Sequence, residues 1–202
     1  MTLPFSQSCE NNKAPILAVI APMLGHCTAV LEVGSGTGQH AAFFSAALSH
    51  IQWQCTEQTE YIDGLTRRVE HELRIAQEDR NNLPTPWVLD VNHWPPMATV
   101  DAIYSANTLH IMDECSGQTF IQQAAAHLPA QGQLLIYGPF KRHGAHTCES
   151  NQQFDQFLQR RDPSSGVRCL DEVSQLAQSY GLMLQSIHSL PANNLLVQFI
   201  KT

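Results

Sequence analysis

The pattern of the chain predicts an α/β fold, a three-layer sandwich around a seven-stranded, mostly parallel sheet with one antiparallel strand. Three observations predict it. Short apolar runs alternate with helical stretches for five strands, and alternation implies parallel strands with helices on both faces. Two further strand runs near the C-terminal end are joined only by Pro191-Ala192-Asn193-Asn194, a turn-forming spacer, so they pair antiparallel. Finally, 202 residues with 43% hydrophobic side chains suit one domain, 1–202, whose core needs no disulfide staples.

The elements follow in order. Residues 10–24 read as a helix with an apolar face, with Pro15 near its start and Pro22 near its end, which makes 1–25 an N-terminal helical segment. Ala29–Val33 is a short apolar run that stops at a glycine cluster, as a buried strand does. The Ala- and Phe-rich stretch from Gln39 to Ser49 suits a packed helix. Ile51–Thr56 is the second strand, and residues 60–79, charged with one apolar stripe, are a long exposed helix. Trp87–Val91, Val100–Ser105 and Gln133–Tyr137 are the third, fourth and fifth strands, with a helix over 117–128 before the fifth. Helices over 149–161 and 170–180 precede the last two strands, Leu182–Ser189 and Leu195–Lys201.

Composition narrows the function. Eleven Lys and Arg stand against 18 Asp and Glu, a net charge of −7. That balance argues against a protein whose affinity rests on a nucleic-acid backbone. No run approaches the ~20 apolar residues of a membrane helix. The start lacks a basic region followed by an apolar core, so no signal peptide is expected and the expected compartment is the cytosol, cytoplasmic rather than exported. Six scattered Cys without a C-x-x-C read as reduced thiols.

The loop after the first strand carries the chemistry. It runs Glu32-Val33-Gly34-Ser35-Gly36-Thr37-Gly38 and opens a helix, so its free N–H groups point at whatever sits there. Glycines at alternate positions allow positive φ and close backbone approach, although a purely structural turn would use them too. The dinucleotide fingerprint G-x-G-x-x-G fails: counted from Gly34 its third glycine falls on Gln39, and counted from Gly36 only a weak G-x-G-x-x-A is left. The observed E-x-G-x-G-x-G instead resembles the first motif of class I S-adenosylmethionine-dependent methyltransferases, which have a Rossmann-like fold.

That resemblance implies roles for particular residues. Glu32 would lie near the methionine amino end, with Gly34, Ser35, Gly36, Thr37 and Gly38 against the cofactor. Glu57, ending the second strand, would take both ribose hydroxyls, since a carboxylate accepts from two donors; Glu60 is the fallback, and a solvated strand-end acid the plain alternative. Asp90 and Val91 would hold the adenine, unless Asp90 only forms a turn before Asn92. Ala106, Asn107 and Thr108, after the fourth strand, would line the cofactor beside the transferring methyl, with His110 close behind.

A closer resemblance spans nearly the whole chain. Asn12-Lys13 with Pro15-Ile16-Leu17, LEVGSGTGQHAAFF at 31–44, SANTLHIM at 105–112 and YGPFKRHGAHTCESNQQFDQFLQRRDPSSGVR at 137–168 are similar to a bacterial and eukaryotic family of methyltransferase-like proteins catalogued as a domain of unknown function. The resemblance implies the class I fold and S-adenosylmethionine as cofactor, and no particular acceptor. The chain departs from the family at Asn11, where a basic residue is usual, and at Glu57, where Asp is usual.

Methyl transfer to an amine or hydroxyl needs a base, and His titrates near neutral pH. His110 is the candidate catalytic base, with a packed or capping histidine as the alternative. Residues 138–168 are expected to form a lid over the acceptor pocket, and Tyr137 and Lys141 leave the fifth strand beside it as further candidates for catalysis. Asn151 and Asp155 lie one helical turn apart and share a face. Lys141, Arg142, Arg160, Arg161 and Arg168 concentrate five cations in 28 positions, so Lys141 with Arg161 or Arg168 would bind an anionic group of a small substrate; an ordinary ion-pair network with Asp155 and Asp162 is the rival. His143, His146 and Cys148 match no structural zinc spacing, so no metal is expected.

Together these readings give a small-molecule methyltransferase. The alternative is a non-catalytic S-adenosylmethionine-binding module that acts through a protein partner. A nucleic-acid methyltransferase is disfavoured because Asn107 is followed by Thr108-Leu109-His110 and not by Pro-Pro and an aromatic.

Overall fold

The computed structural model describes residues 3–76 and 81–202. Its parallel strands are β1 (Ala29–Glu32), β2 (Gln52–Glu57), β3 (Trp87–Val88), β4 (Ala102–Ala106) and β5 (Gln133–Gly138). They are followed by a small hairpin, β6 (Lys141–Arg142) and β7 (Ala145–His146), and by β8 (Leu182–Leu190) and β9 (Asn194–Lys201). The helices are α1 (Gln7–Met23), α2 (Gln39–Ala47), α3 (Ile62–Ala76), α4 (Glu114–His127), α5 (Glu149–Arg161) and α6 (Leu170–Ser179).

Seven strands form one sheet in the order β3-β2-β1-β4-β5-β9-β8. β1 pairs parallel with both β2 and β4, and β2 with β3. β9 runs antiparallel to β5 and to β8, so it is the one reversed strand. The chain therefore builds outward from β1 to β3, then restarts on the other side of β1 at β4. In open α/β sheets such a reversal marks where ligands bind, outside the carboxyl ends of the strands.

By compactness the chain divides into Met1–Pro95 with Val100–Tyr104, and Pro96–Thr99 with Ser105–Thr202. The first unit is centred on Phe44, Trp53 and Tyr104, whose ring centroids lie 5.4–5.7 Å apart at steep angles. Each such buried ring contributes about 1.5–3 kcal/mol through removal from water. The second unit is centred on β5 and β9, where Leu134, Ile136, Val197 and Phe199 are fully buried.

Several boundaries differ from the sequence reading. α1 starts at Gln7 because the Ser6 hydroxyl caps it, accepting from the Cys9 N–H at 3.3 Å. β3 is two residues long; beyond it Asp90 and His93 form a tight turn that ends the strand. The expected exposed helix extends to 79, and residues 77–79 lie outside the described residues. The β6–β7 hairpin was not expected. Its two-residue turn puts His143 at φ 50° and Gly144 at φ 75°, both central positions left-handed as a type I′ turn demands.

Candidate functional site

β1 ends at Glu32 and the chain turns at once. Val33 still donates to the Tyr104 carbonyl on β4, and Ser35 to the Thr56 carbonyl on β2, both at 2.9 Å. Ser35 Oγ accepts from the Thr56 N–H at 3.2 Å, so the loop is stitched to the end of β2 through both the N–H and the carbonyl of Thr56. Gly34, Gly36 and Gly38 have φ of 72°, 55° and 74°, conformations that other residues adopt only at a cost.

Two of these glycines do different work. A Cβ on Gly38 would lie 2.7 Å from Leu65 Cδ1 and 2.9 Å from Arg68 Cγ, so α3 occupies that side. A Cβ on Gly36 would meet nothing within 4 Å. Close approach to a ligand is therefore open at Gly36, and Gly38 serves helix packing.

Glu57 faces the same place. Its Oε2 accepts from the Gly36 N–H at 2.7 Å and its Oε1 from the Gln58 N–H at 2.8 Å. A carboxylate has about four acceptor positions, so one on each oxygen is left for further donors. Glu32 is set deeper. Its side chain lies beneath the loop, 2% exposed, with Oε2 accepting from Trp53 Nε1 at 2.8 Å. Burial pushes its pKa up to about 7, against the Trp53 and Ser35 hydrogen bonds, with the Glu57 charge adding to the rise.

Asp90 forms the turn that was the alternative to adenine contact: Oδ1 accepts from the Asn92 N–H and Oδ2 meets His93 Nδ1, each at 2.9 Å. Those hydrogen bonds hold its carboxyl below the usual range, His93 first and then the Asn92 N–H. Val91 is buried beside it.

The N-terminal end of α1 is latched to the glycine loop by Gln39, which the sequence reading did not single out. Gln39 Oε1 accepts from the Ser6 N–H at 2.6 Å and from Thr37 Oγ1 at 3.0 Å, and its Nε2 donates to Glu10 at 3.0 Å. Arg68 adds a second tie, donating to the Pro4 carbonyl at 2.6 Å and to the Thr37 carbonyl at 3.3 Å.

The second group of candidate residues belongs to the other unit. Ala106, Asn107 and Thr108 leave β4 with Asn107 at φ 58°, its N–H on the Tyr137 carbonyl at 2.8 Å. Thr108 Oγ1 donates back to the Ala106 carbonyl. A Cβ on Gly138 would sit 3.5 Å from His110 Nδ1 and 3.7 Å from Asn107 Oδ1, so these three residues are neighbours. His110 is 6% exposed, with its ring edge-on to Phe154 of α5 at 5.2 Å. Burial, helped by the charge of Arg168, lowers its pKa to about 4, so the imidazole is neutral at physiological pH.

The segment 164–168 holds this histidine by its backbone. Gly166 N–H donates to the His110 carbonyl, Ser165 Oγ to that of Ile111, and Arg168 Nη2 to that of Met112. Asp155 anchors the segment. Its Oδ1 accepts from the Val167 N–H at 2.7 Å, while Oδ2 takes Lys141 Nζ at 2.8 Å and His146 Nε2 at 3.3 Å. Burial raises the Asp155 pKa, but the hydrogen bonds of Lys141 and the Val167 N–H together outweigh it and the net shift is downward. Gly166 fits closely here, since a Cβ would stand 3.0 Å from Asp155 Oδ1.

The remaining candidates are distributed differently. Lys141 is in an ion pair with Asp155, the rival reading of the cation cluster. Tyr137 is buried in the sheet, and its hydroxyl accepts from Asn194 Nδ2 at 2.9 Å. Asn151 shares the buried face of α5 with Asp155, and its Nδ2 donates to Thr147 Oγ1 and the Asn193 carbonyl. Arg161 lies on the exposed side of α5, its guanidinium 5.8 Å from the Phe157 ring. Phe154 and Phe157 were missed in the sequence because aromatics at helical spacing usually mean core.

Comparison with solved structures places the fold. Human N-acetylserotonin methyltransferase in complex with SAM matches with a TM-score of 0.78 at 13% identity, covering 96% of this chain and 53% of that one. The mitomycin 7-O-methyltransferase MmcR matches at 0.77 and 14%, covering 95% and 54%. An O-methyltransferase family 2 protein from Planctomyces limnophilus, in complex with apigenin, matches at 0.74 and 15%, covering 95% and 62%. The chain thus spans between about half and three-fifths of the length of these structures. The fold is that of the class I methyltransferases. Within that fold the chain belongs to the family described as "Protein of unknown function (DUF938)", whose model matches residues 3–201.

Among the described residues no helix is long and apolar enough to cross a membrane.

Proposed function

We propose that this protein is an S-adenosylmethionine-dependent methyltransferase acting on a small-molecule acceptor. The observation that carries the proposal is the pairing of an open glycine with a carboxylate. Gly36, at φ 55° with free space where a Cβ would be, presents bare backbone to a ligand, and Glu57 is bonded to its N–H.

The residues of the first unit fit the cofactor. Gly34, Ser35, Gly36 and Thr37 would face it, with Gly38 shaping the loop against α3. Glu57 would take the ribose hydroxyls on its remaining acceptor positions. Glu32 would set the charge beneath the methionine end, and Asp90 with Val91 the adenine end, where Asp90 must exchange a present partner for the base. When bound, the cofactor supplies a methyl group made electrophilic by its sulfonium.

The second unit would serve the acceptor. Ala106, Asn107 and Thr108 would border the reacting methyl. His110 would take the proton of a hydroxyl or amine, being neutral at physiological pH and shielded from water. Residues 138–168, including Asn151, Asp155 and Lys141, would form the lid that shapes this side, with Asp155 holding it together. The small molecules named for the solved structures above, N-acetylserotonin, mitomycin and apigenin, agree with this reading.

Incubation of the purified protein with methyl-labelled S-adenosylmethionine and a fractionated cell extract tests it. Label is expected in low-molecular-weight products, reduced at least a hundredfold by His110→Ala. Label confined to macromolecules, or none in any fraction, overturns it.

A further inference from the structure

Arg168 has an unusual set of partners. Its Nη2 donates to two neutral carbonyls, of Met112 and Ser164, and its Nε is buried without a hydrogen-bond partner. Among the described residues no carboxylate lies within ion-pairing distance of it; Asp155, the buried acid nearby in sequence, is taken by Lys141 and His146. A half-buried guanidinium whose contacts are all neutral keeps its charge uncompensated, which is costly unless an anion completes it.

An aromatic ledge adjoins it. The His110 ring meets Phe154 edge-on at 5.2 Å, and Phe154 stacks with Phe157 at 6.5 Å and 21°. Phe157 is 47% exposed and Ile111 54% exposed. Rings ranked from a buried imidazole out to solvent suit a flat partner, since aromatic pairs in offset or edge-on contact gain about 0.5–1.5 kcal/mol beyond burial. The guanidinium is close enough to His110 that its charge depresses imidazole protonation. An uncompensated cation, a neutral base and an exposed ring thus meet around one stretch of chain, 110–112 with 154–168.

We infer that this face binds an aromatic acid, with its ring along Phe154 and Phe157 and its negative oxygen on the Arg168 guanidinium. The inference rests on the methyltransferase reading only in calling this ligand the methyl acceptor; the binding itself is independent of the cofactor. It also chooses among the cations of the segment: Arg168 carries the anion, Lys141 is structural through Asp155, and Arg161, 5.8 Å from the Phe157 ring, borders the ring's exposed side.

The test is titration of the intact protein with 4-hydroxybenzoate, followed by calorimetry and by the histidine ring resonances. Saturable binding that shifts the His110 resonance is expected, with 4-hydroxybenzamide and cyclohexanecarboxylate each bound at least tenfold more weakly. This ligand comparison uses the unmutated chain, so it needs no variant to fold. Arg168→Gln is expected to lower affinity for the acid at least tenfold while leaving affinity for the amide unchanged, and Phe157→Ala to lower affinity for acid and amide alike, several-fold. Absence of saturable binding, or equal affinity for acid and amide, overturns the inference. S-adenosylmethionine is titrated separately into the same preparation. If it fails to bind while the acid binds, the methyltransferase reading falls and the acid site stands; if it binds while the acid does not, the reverse holds.

Discussion

The Gly36 N–H donates to Glu57 Oε2 across 2.7 Å, tying the loop after β1 to the end of β2 at the point where bare backbone is open. The carboxylate therefore shapes the loop, and in the proposed function it also takes the cofactor's ribose. Glu57→Ala is expected to weaken S-adenosylmethionine binding ten- to a hundredfold, since hydrogen bonds to a charged group are each worth about 1.5–3 kcal/mol. The same change also releases the Gly36 and Gln58 N–H groups at a partly exposed site, where water replaces part of the loss, so it should cost about 1–2 kcal/mol in folding. Calorimetric titration and urea melts of the two proteins check both halves.

The two glycines separate binding from folding. Gly38→Ala sets a Cβ 2.7 Å from Leu65 in a left-handed backbone, so a loss of about 2–4 kcal/mol in stability is expected. Gly36→Ala carries only the backbone strain of about 1 kcal/mol and is expected to weaken S-adenosylmethionine binding. Equal stabilities for the two variants in denaturant titration would show that α3 yields.

Glu32 gives the first unit a pH dependence of a definite sign. Its pKa is raised to about 7 in the folded chain, so folding binds a proton between about pH 4.5 and 7. Its contribution is full below the unfolded value and declines as pH rises through that window, by up to about 3 kcal/mol. Glu32→Gln keeps an acceptor for Trp53 and lacks this charge. The variant is expected to gain stability over the parent between pH 5 and pH 8, measured by urea melts at each.

His110 behaves oppositely. With its pKa lowered to about 4, the folded chain binds its proton more weakly than the unfolded chain. Its contribution is complete above about pH 6.5 and is lost as pH falls toward 4. In a histidine ring titration by NMR, His110 should titrate below pH 5, and Arg168→Gln should move its midpoint upward. A midpoint near 6.5 would mean that the ring is solvated.

Asp155→Asn should be the costliest change in the second unit. It leaves Lys141 without its carboxylate and weakens the tie to Val167, and breaking a buried pair typically costs about 3–5 kcal/mol. The carboxyl pKa is lowered, so this contribution is present above the usual Asp value and is lost as acid protonates the folded group. The gap between parent and variant should therefore narrow below pH 4.

The sheet was legible in the sequence because its strands are apolar runs punctuated by glycine and turn residues, and the reversed strand followed from the short link at 191–194. The loop was legible because left-handed backbone selects glycine, as at Gly36. What stayed hidden was side-chain pairing. Nothing in the sequence distinguishes Lys141, neutralised by Asp155, from Arg168, which has only carbonyls. Nothing marks Gln39 as a latch or Glu32 as bonded to Trp53, because those contacts depend on register across 21 to 33 positions. β3 was overestimated because a buried Leu89 and Val91 extend the apolar run, while Asp90 bonds locally and ends the ladder.

Calorimetric titration of the unmutated protein with S-adenosylmethionine, paired with a thermal melt, decides whether the open backbone at Gly36 is a cofactor cradle. Saturation at one ligand per chain is expected, with about 2.7 kcal/mol of added stability at a hundred times the dissociation constant. No heat of binding and an unmoved melt at millimolar cofactor would contradict it.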